Sequence, residues 1–349
     1  MINEENKVTT FKEKGLTGLA NLGNTCFINS CIQILNHSYE FIEFLDEEKY
    51  KENLKNNCDS ILLIEYDELR KLMYSKNCII NPLKFIRIIQ EVAKIKKQEL
   101  FTNYSQNDIC EFFMFIMDSF NNAISREVIM TINGNIMNER DKIATLVYEK
   151  IKQMYSNDYS ELMTLFYGIQ ITEIINIENK ISINNIPEPF FILNLSLPED
   201  NKESSLINCL NNYVNEEILE NENGYYNEKT EKKENVLKKI KFWSFPNILV
   251  ICLKRFNNSI RKKQNLITFP LNNLDLSEYI IGYNREQFKY DCYGIANHSG
   301  NILGGHYTSF VKNANNNWYH FNDTSVQKVE DLNQLITPKA YCLFYRKIN

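Results

Sequence analysis

The stretch Gly18-Leu19-Ala20-Asn21-Leu22-Gly23-Asn24-Thr25-Cys26-Phe27-Ile28-Asn29-Ser30 changes character in its middle. Asn21 to Asn24 has the composition of a turn, and beyond it Ile28, Cys31, Ile32, Leu35, Phe41, Phe44 and Leu45 recur near helical spacing. This pattern predicts a helix that starts at Thr25 or Cys26 and runs on past His37. Cys26 then sits at a helix N-terminus, where unpaired backbone N–H groups and the helix dipole favour a thiolate, the nucleophilic form of cysteine. The same position also suits a small buried hydrophobe, and the stretch by itself leaves both readings open.

A second informative stretch lies near the other end of the chain. Gly304-Gly305-His306-Tyr307-Thr308-Ser309-Phe310-Val311 and Trp318-Tyr319-His320-Phe321-Asn322-Asp323 flank an Asn-rich turn. Alternating aromatic segments around such a turn read as a β-hairpin. A turn centred on Ala314 sets His306 opposite Asn322 and His320 opposite Thr308. An Asn beside a His fixes the ring tautomer and leaves the other nitrogen to take a thiol proton, although a plain cross-strand pair fits the same spacing. The adjacent Gly304 and Gly305 let a backbone or substrate approach closely. His37 lies about 16 Å along the predicted helix from Cys26, too far for a hydrogen bond. His298, before Ser299 and Gly300, reads as part of a flexible loop that reaches Gly305, so His306 is the preferred base.

Composition bounds the rest. The chain has 349 residues, 44% hydrophobic and 24% charged, long enough for about two domains or one with subdomains. Its net charge of −5 removes the basic field that nucleic-acid binding needs, despite small clusters such as Arg261-Lys262-Lys263. Its longest apolar run, Ile248 to Leu253, is far below the roughly 18 residues of a membrane span. The nine cysteines contain no C-x-x-C pair, which argues against a disulfide framework or a thiolate zinc site. With a polar, mixed-charge segment from Met1 to Lys14 in place of a secretory signal, the free thiols indicate a reducing intracellular compartment.

Along the chain, the first 160 residues read as mostly helical. A further helix is expected near Ser105, with Ser105 and Asp108 as a capping box and Ile109, Phe112, Phe113, Ile116 and Phe120 as its buried stripe. After about Phe166 the texture turns to strands. Between Asn201 and Lys241 a charge-rich stretch around residues 221–233 reads as a hairpin tip or a poorly ordered loop.

On these residues the chain resembles the ubiquitin-specific proteases. Gly18 to Ser30 resembles their cysteine box and Gly304 to Asp323 their histidine box. Gln106-Asn107-Asp108-Ile109-Cys110-Glu111-Phe112, Leu253-Lys254-Arg255-Phe256 and Ala340 to Arg346 resemble landmarks between and after them. The resemblance implies an α+β, papain-like fold: a tail (1–14), a helical thumb (about 15–160), fingers with part of the palm (about 166–245) and the palm (about 246–346). It implies a cysteine isopeptidase acting at the C-terminal glycine of ubiquitin, with Cys26 as nucleophile, His306 as base and acid, and Asn322 as its orienting partner. Asp323 falls where the family has a second supporting residue, and Asn21 matches an oxyanion-hole amide. Gln106, Asp108, Glu111, Tyr307, Gly304 and Gly305 fall where the substrate tail is expected, with a capping or packing role equally open for the polar ones.

Ubiquitin and its conjugates are the implied partners of a monomeric, cytoplasmic or nuclear enzyme that needs no cofactor. Many relatives carry two C-x-x-C pairs that bind zinc at the fingertips. Residues 174–177 and 227–230 contain no cysteine here, so the fingers are expected to be metal-free. A ubiquitin-binding module without strong catalysis, or a protease for another ubiquitin-like modifier, are the alternative readings.

Overall fold

A computed structural model describes residues 9–199, 202–228, 230–256, 261–301 and 304–348. Most of the N-terminal tail, Asn201 and Lys229 of the charged stretch, and Ile302 and Leu303 of the 298–305 segment lie outside the described residues.

Helices dominate up to Phe166. The short strand β1 (Gly18–Leu19) leads into α1 (Cys26–Leu35), followed by α2 (Tyr39–Asp46), α3 (Cys58–Ser75), strand β2 (Ile79–Ile80), α4 (Leu83–Ile95), α5 (Ile109–Ile124), α6 (Glu139–Asp158) and α7 (Glu161–Phe166). All ten residues of α1 are buried, because it lies between the other helices and a large sheet. The predicted single helix from Cys26 onward is in fact two. The carbonyl of Asn36 accepts from the Tyr74 hydroxyl, that of His37 accepts from Arg346 Nη2 at 2.8 Å, and Ser38 Oγ bonds the Tyr293 hydroxyl at 2.6 Å. Side chains distant in sequence thus take the carbonyls that the next helical turn would use. His37 ends up completely buried at this break.

The second half is built of strands. β3 (Gly168–Asn176), β4 (Ser182–Phe190), β5 (Ile192–Ser196) and β6 (Ser204–Ser205) precede α8 (Leu206–Val214), and then come β7 (Glu217–Leu219), β8 (Tyr225–Asn227), β9 (Lys232–Glu234) and β10 (Val236–Ser244). Four of these strands form a sheet in the order β4-β3-β10-β7. The charge-rich stretch is a hairpin of β8 and β9, at whose tip Glu234 accepts from Thr230 Oγ1 at 2.6 Å and from Asn227 Nδ2 at 3.2 Å. Among the described residues no group of three or more His, Cys, Asp or Glu is placed to hold a metal ion.

The chain closes with β11 (Ile248–Lys254), β12 (Ile267–Thr268), β13 (Leu274–Asp275), β14 (Lys289–Asn301), β15 (Gly304–Lys312), β16 (Trp318–Asn322), β17 (Ser325–Lys328) and β18 (Ala340–Lys347). The large sheet runs β17-β16-β15-β14-β18-β11-β5. Its two faces are both covered, which explains the continuous apolar run in β11. Ile248, Val250 and Cys252 face the helical core, while Leu249, Ile251 and Leu253 face a second core shared with Leu206, Cys209 and Leu210 of α8. Burying each such Ile, Leu or Val side chain stabilises the fold by roughly 1.5–3 kcal/mol. No helix among the described residues is long and apolar enough to cross a membrane.

Candidate functional site

The site lies on the seam between α1 and the open end of β15. The loop before α1 is held from within: Asn21 Oδ1 accepts from Gly23 N at 3.0 Å, Thr25 N at 3.2 Å and Thr25 Oγ1 at 3.2 Å. It is held from outside by the two-residue turn between β16 and β17. Leu19 N donates to Asp323 O at 2.9 Å, and a Cβ on Gly18 would meet Thr324 O at 2.4 Å. The Asp323 carboxylate accepts from Asn21 Nδ2 at 3.0 Å and from Asn29 Nδ2 at 2.8 Å. Asp323 therefore braces the loop and the first turn of α1, and the structure pairs it with these two amides.

Cys26 is the first residue of α1 and is only 3% exposed. Its Sγ accepts from Tyr307 N at 3.4 Å. Burial pushes the thiol above its ordinary range and the Asp323 carboxylate adds to this, against the Tyr307 N–H, which favours the thiolate. The expected helix-terminus effect is thus outweighed by desolvation, which disfavours the thiolate.

His306 Nε2 donates to Asn322 Oδ1 at 2.7 Å. The pairing that produces this contact is not the expected one. β15 and β16 pair Ser309 with Phe321 and Phe310 with His320, a turn centred on residue 315. In this register Thr308 lies across from Asn322, and His306 is its diagonal neighbour. Moving the turn centre by one residue shifts the pairing by two, so the faces are preserved and the His–Asn contact survives. The local cause is Asn313 N bonding Asn317 O at 2.9 Å, which centres the turn on residue 315.

A cavity of about 390 Å3 opens beside Cys26, lined by Gln106, Asp108, Glu111, His298, Gly305 and Tyr307 among others. Asp108 is the N-cap of α5, and Ser105 is not. Asp108 Oδ1 accepts from Cys110 N at 2.7 Å and Glu111 N at 3.2 Å, and Oδ2 accepts from the Tyr341 hydroxyl. Both of its oxygens are engaged within the protein. Glu111 has its carboxyl raised by burial and by Asp108. Gln106 bonds the Gly305 backbone twice, Nε2 to O at 3.0 Å and Gly305 N to Oε1 at 2.7 Å.

The two glycines differ. A Cβ on Gly305 would meet His298 Nε2 at 2.2 Å and Ser299 O at 2.7 Å, while one on Gly304 would meet nothing closer than Gln106 Oε1 at 3.7 Å. Packing inside the sheet makes Gly305 obligatory; no such constraint applies to Gly304.

His298 departs most from the reading of the sequence. It lies in β14, paired with Tyr307, and is only 5% exposed. Its ring packs on Tyr307 at 4.7 Å between centroids and on Phe256 at 5.7 Å. Burial, with help from Lys262, pushes it down to about 4, and its Nδ1 has no hydrogen-bond partner among the described residues. The signal available for it was the strand-like run from Cys292 to Asn297, which leads straight into it.

The family described as ubiquitin carboxyl-terminal hydrolase matches residues 17–345. Human ubiquitin carboxyl-terminal hydrolase 2 is 30% identical over 95% of this chain and 55% of its own length. A probable ubiquitin carboxyl-terminal hydrolase of Acanthamoeba polyphaga mimivirus is 26% identical over 95% of this chain and 90% of its own. The chain spans about half the length of several curated relatives it matches. Among solved structures, the SAGA Ubp8/Sgf11/Sus1/Sgf73 DUB module bound to ubiquitin aldehyde superposes with a TM-score of 0.73 at 24% identity, covering 100% of this chain and 72% of that one. A further structure of the SAGA Ubp8/Sgf11/Sus1/Sgf73 DUB module gives a TM-score of 0.68 at 25% identity, covering 97% of this chain and 69% of that one.

Proposed function

Because the chain belongs to the ubiquitin carboxyl-terminal hydrolase family, we propose that it is a deubiquitinase that cleaves the bond to the C-terminal glycine of ubiquitin by cysteine nucleophilic catalysis. The observation that carries this reading is the His306–Asn322 hydrogen bond, one residue from the Tyr307 N–H that reaches Cys26 Sγ.

With Nε2–H given to Asn322, the lone pair of His306 is on Nδ1. Nδ1 takes the proton from the Cys26 thiol as Sγ attacks the substrate carbonyl carbon. A base assists this step because burial raises the thiol pKa and so disfavours the thiolate. The oxyanion is met by Asn21 Nδ2, which has a second hydrogen besides the one on Asp323, and by the N-terminus of α1. A donor of this kind stabilises the transition state by about 2.7–4 kcal/mol. The protonated His306 gives its proton to the leaving amine, the C–N bond breaks and a thioester on Cys26 remains. Water, deprotonated by Nδ1, then attacks the thioester and releases ubiquitin with a free carboxylate. Glu111 is the cavity carboxylate left to meet an arginine of the tail, since the oxygens of Asp108 are taken.

Ubiquitin and its conjugates are the proposed partners, and a single chain suffices for the chemistry because every named group comes from one molecule. The nine cysteines are free, which supports a reducing intracellular setting, cytoplasmic or nuclear. The test is hydrolysis of ubiquitin carrying a C-terminal fluorogenic amide. The protein releases the fluorophore and Cys26→Ala does not; equal rates from the two would refute the assignment.

A further inference from the structure

On one edge of β15 the backbone bonds can be followed from the hairpin loop down to the cavity. Asn313 N bonds Asn317 O, so the odd-numbered residues of β15 turn their N–H and C=O groups toward β16. Pairing with β16 is present from Lys312 back to Ser309, and β16 ends at Asn322. Beyond that point the same edge continues with no strand beside it among the described residues. Tyr307, the next odd residue, points its N–H at Cys26 Sγ at 3.4 Å. Gly305, the one after, gives its N–H to Gln106 Oε1 at 2.7 Å and takes Gln106 Nε2–H on its carbonyl at 3.0 Å.

Gln106 therefore does to Gly305 what a peptide group of a neighbouring strand would do. A side-chain carboxamide has one acceptor and a donor pair in nearly the geometry of a backbone amide. The second Nε2 hydrogen is tied to Asn24 Oδ1 at 3.2 Å, and Asn24 Nδ2 is tied in turn to Tyr104 O at 2.9 Å. The carboxamide is thus held from the loops on the thumb side while it bonds a palm strand across the cavity. An extended chain that enters this cavity, and ends with its last carbonyl at Cys26, runs along this open edge and pairs with Gly305 as an added strand.

We propose that Gln106 is a latch: in the free protein its carboxamide occupies the Gly305 hydrogen-bonding position that the C-terminal tail of the substrate takes, and the tail must displace it to reach Cys26. The latch rests on the deubiquitinase reading for the identity of the tail, but its closed state is a property of the free protein. It also gives Gln106 a role opposite to that of a substrate contact, since removing it makes tail binding easier. Asn24, which anchors the latch, acts in the same direction.

Two measurements on Gln106→Met, which keeps length and loses both bonds, test this. The first is amide hydrogen exchange at Gly305 in the free protein, where the substitution is expected to speed exchange about tenfold or more by removing the acceptor. The second is ubiquitin affinity in a Cys26→Ala background, where the substitution is expected to lower Kd about three- to tenfold, the worth of one or two exposed hydrogen bonds. Asn24→Gly, which tolerates the positive φ of 57° at that position, is expected to lower Kd by a smaller factor. Unchanged exchange at Gly305 overturns the latch. So does weaker ubiquitin binding by Gln106→Met, which would make Gln106 a contact instead. If exchange responds but neither protein binds ubiquitin, the deubiquitinase reading falls, and the tail assigned to the latch falls with it.

Discussion

At the scale of single residues, the chemistry depends on how a few polar groups are shared out. Asp323 is hydrogen-bonded to Asn21 and Asn29, not to His306, and its charge raises the Cys26 thiol. Asp323→Asn keeps the shape and removes the charge, so the thiol pKa moves down. The rate of iodoacetamide alkylation of Cys26, followed against pH, is expected to shift its midpoint to lower pH. An unshifted profile would show that the carboxylate does not reach the sulfur. The sequence singled out Cys26 and His306 as candidates because each sits in a recognisable local pattern, a turn before a helix and an aromatic strand after two glycines. It did not make His298 legible. The neighbours that bury that ring, Tyr307, Phe256 and Tyr341, come from three other strands or strand ends, and no local pattern announces them. The direction of the Cys26 shift was also out of reach, because desolvation is a sum over everything packed around the sulfur.

At the scale of elements, helix caps and strand register decide where these side chains stand. Asp108 caps α5 and also holds Tyr341, so it ties α5 to β18 beside the cavity. Asp108→Ala is expected to cost about 0.5–2 kcal/mol through the cap alone, read as a lower urea midpoint at unchanged slope. An unchanged midpoint would mean that the cap is dispensable. The buried stripe of α5 was plain in the sequence, and its cap was misplaced by three residues, because Ser and Asp are both good caps and only the chain path selects one. The helix after Cys26 shows the same limit. Its periodicity continues through Leu45, but Tyr74, Tyr293 and Arg346 end it at Leu35 by bonding to Asn36, His37 and Ser38. In the β15–β16 hairpin the faces were readable and the register was not, since an Asn-rich loop allows turns of more than one length.

At the scale of the whole molecule, two histidines couple folding to pH. His37 and His298 are both held near 4, below the ordinary 6.5, chiefly by burial. Below pH 6.5 the unfolded chain binds protons at these positions that the folded chain does not. The stability present above that pH is therefore lost as pH falls toward 4, by up to about 1.4 kcal/mol per pH unit for each histidine. Urea midpoints measured between pH 7 and 4.5 are expected to fall, and to fall less steeply for His298→Gln; parallel curves would rule His298 out as a contributor. The order of the landmarks, the change from helical to strand periodicity near Phe166, and the residue types able to act as nucleophile, base and orienting amide were determined by the sequence, because each is a property of a short window. Only the tertiary structure decided that Asp323 braces Asn21, that His298 walls the cavity, and that Gln106 spans it to Gly305. These contacts join residues 199 or more positions apart, or depend on burial by several elements at once, and such energies exist only when the chain has closed on itself.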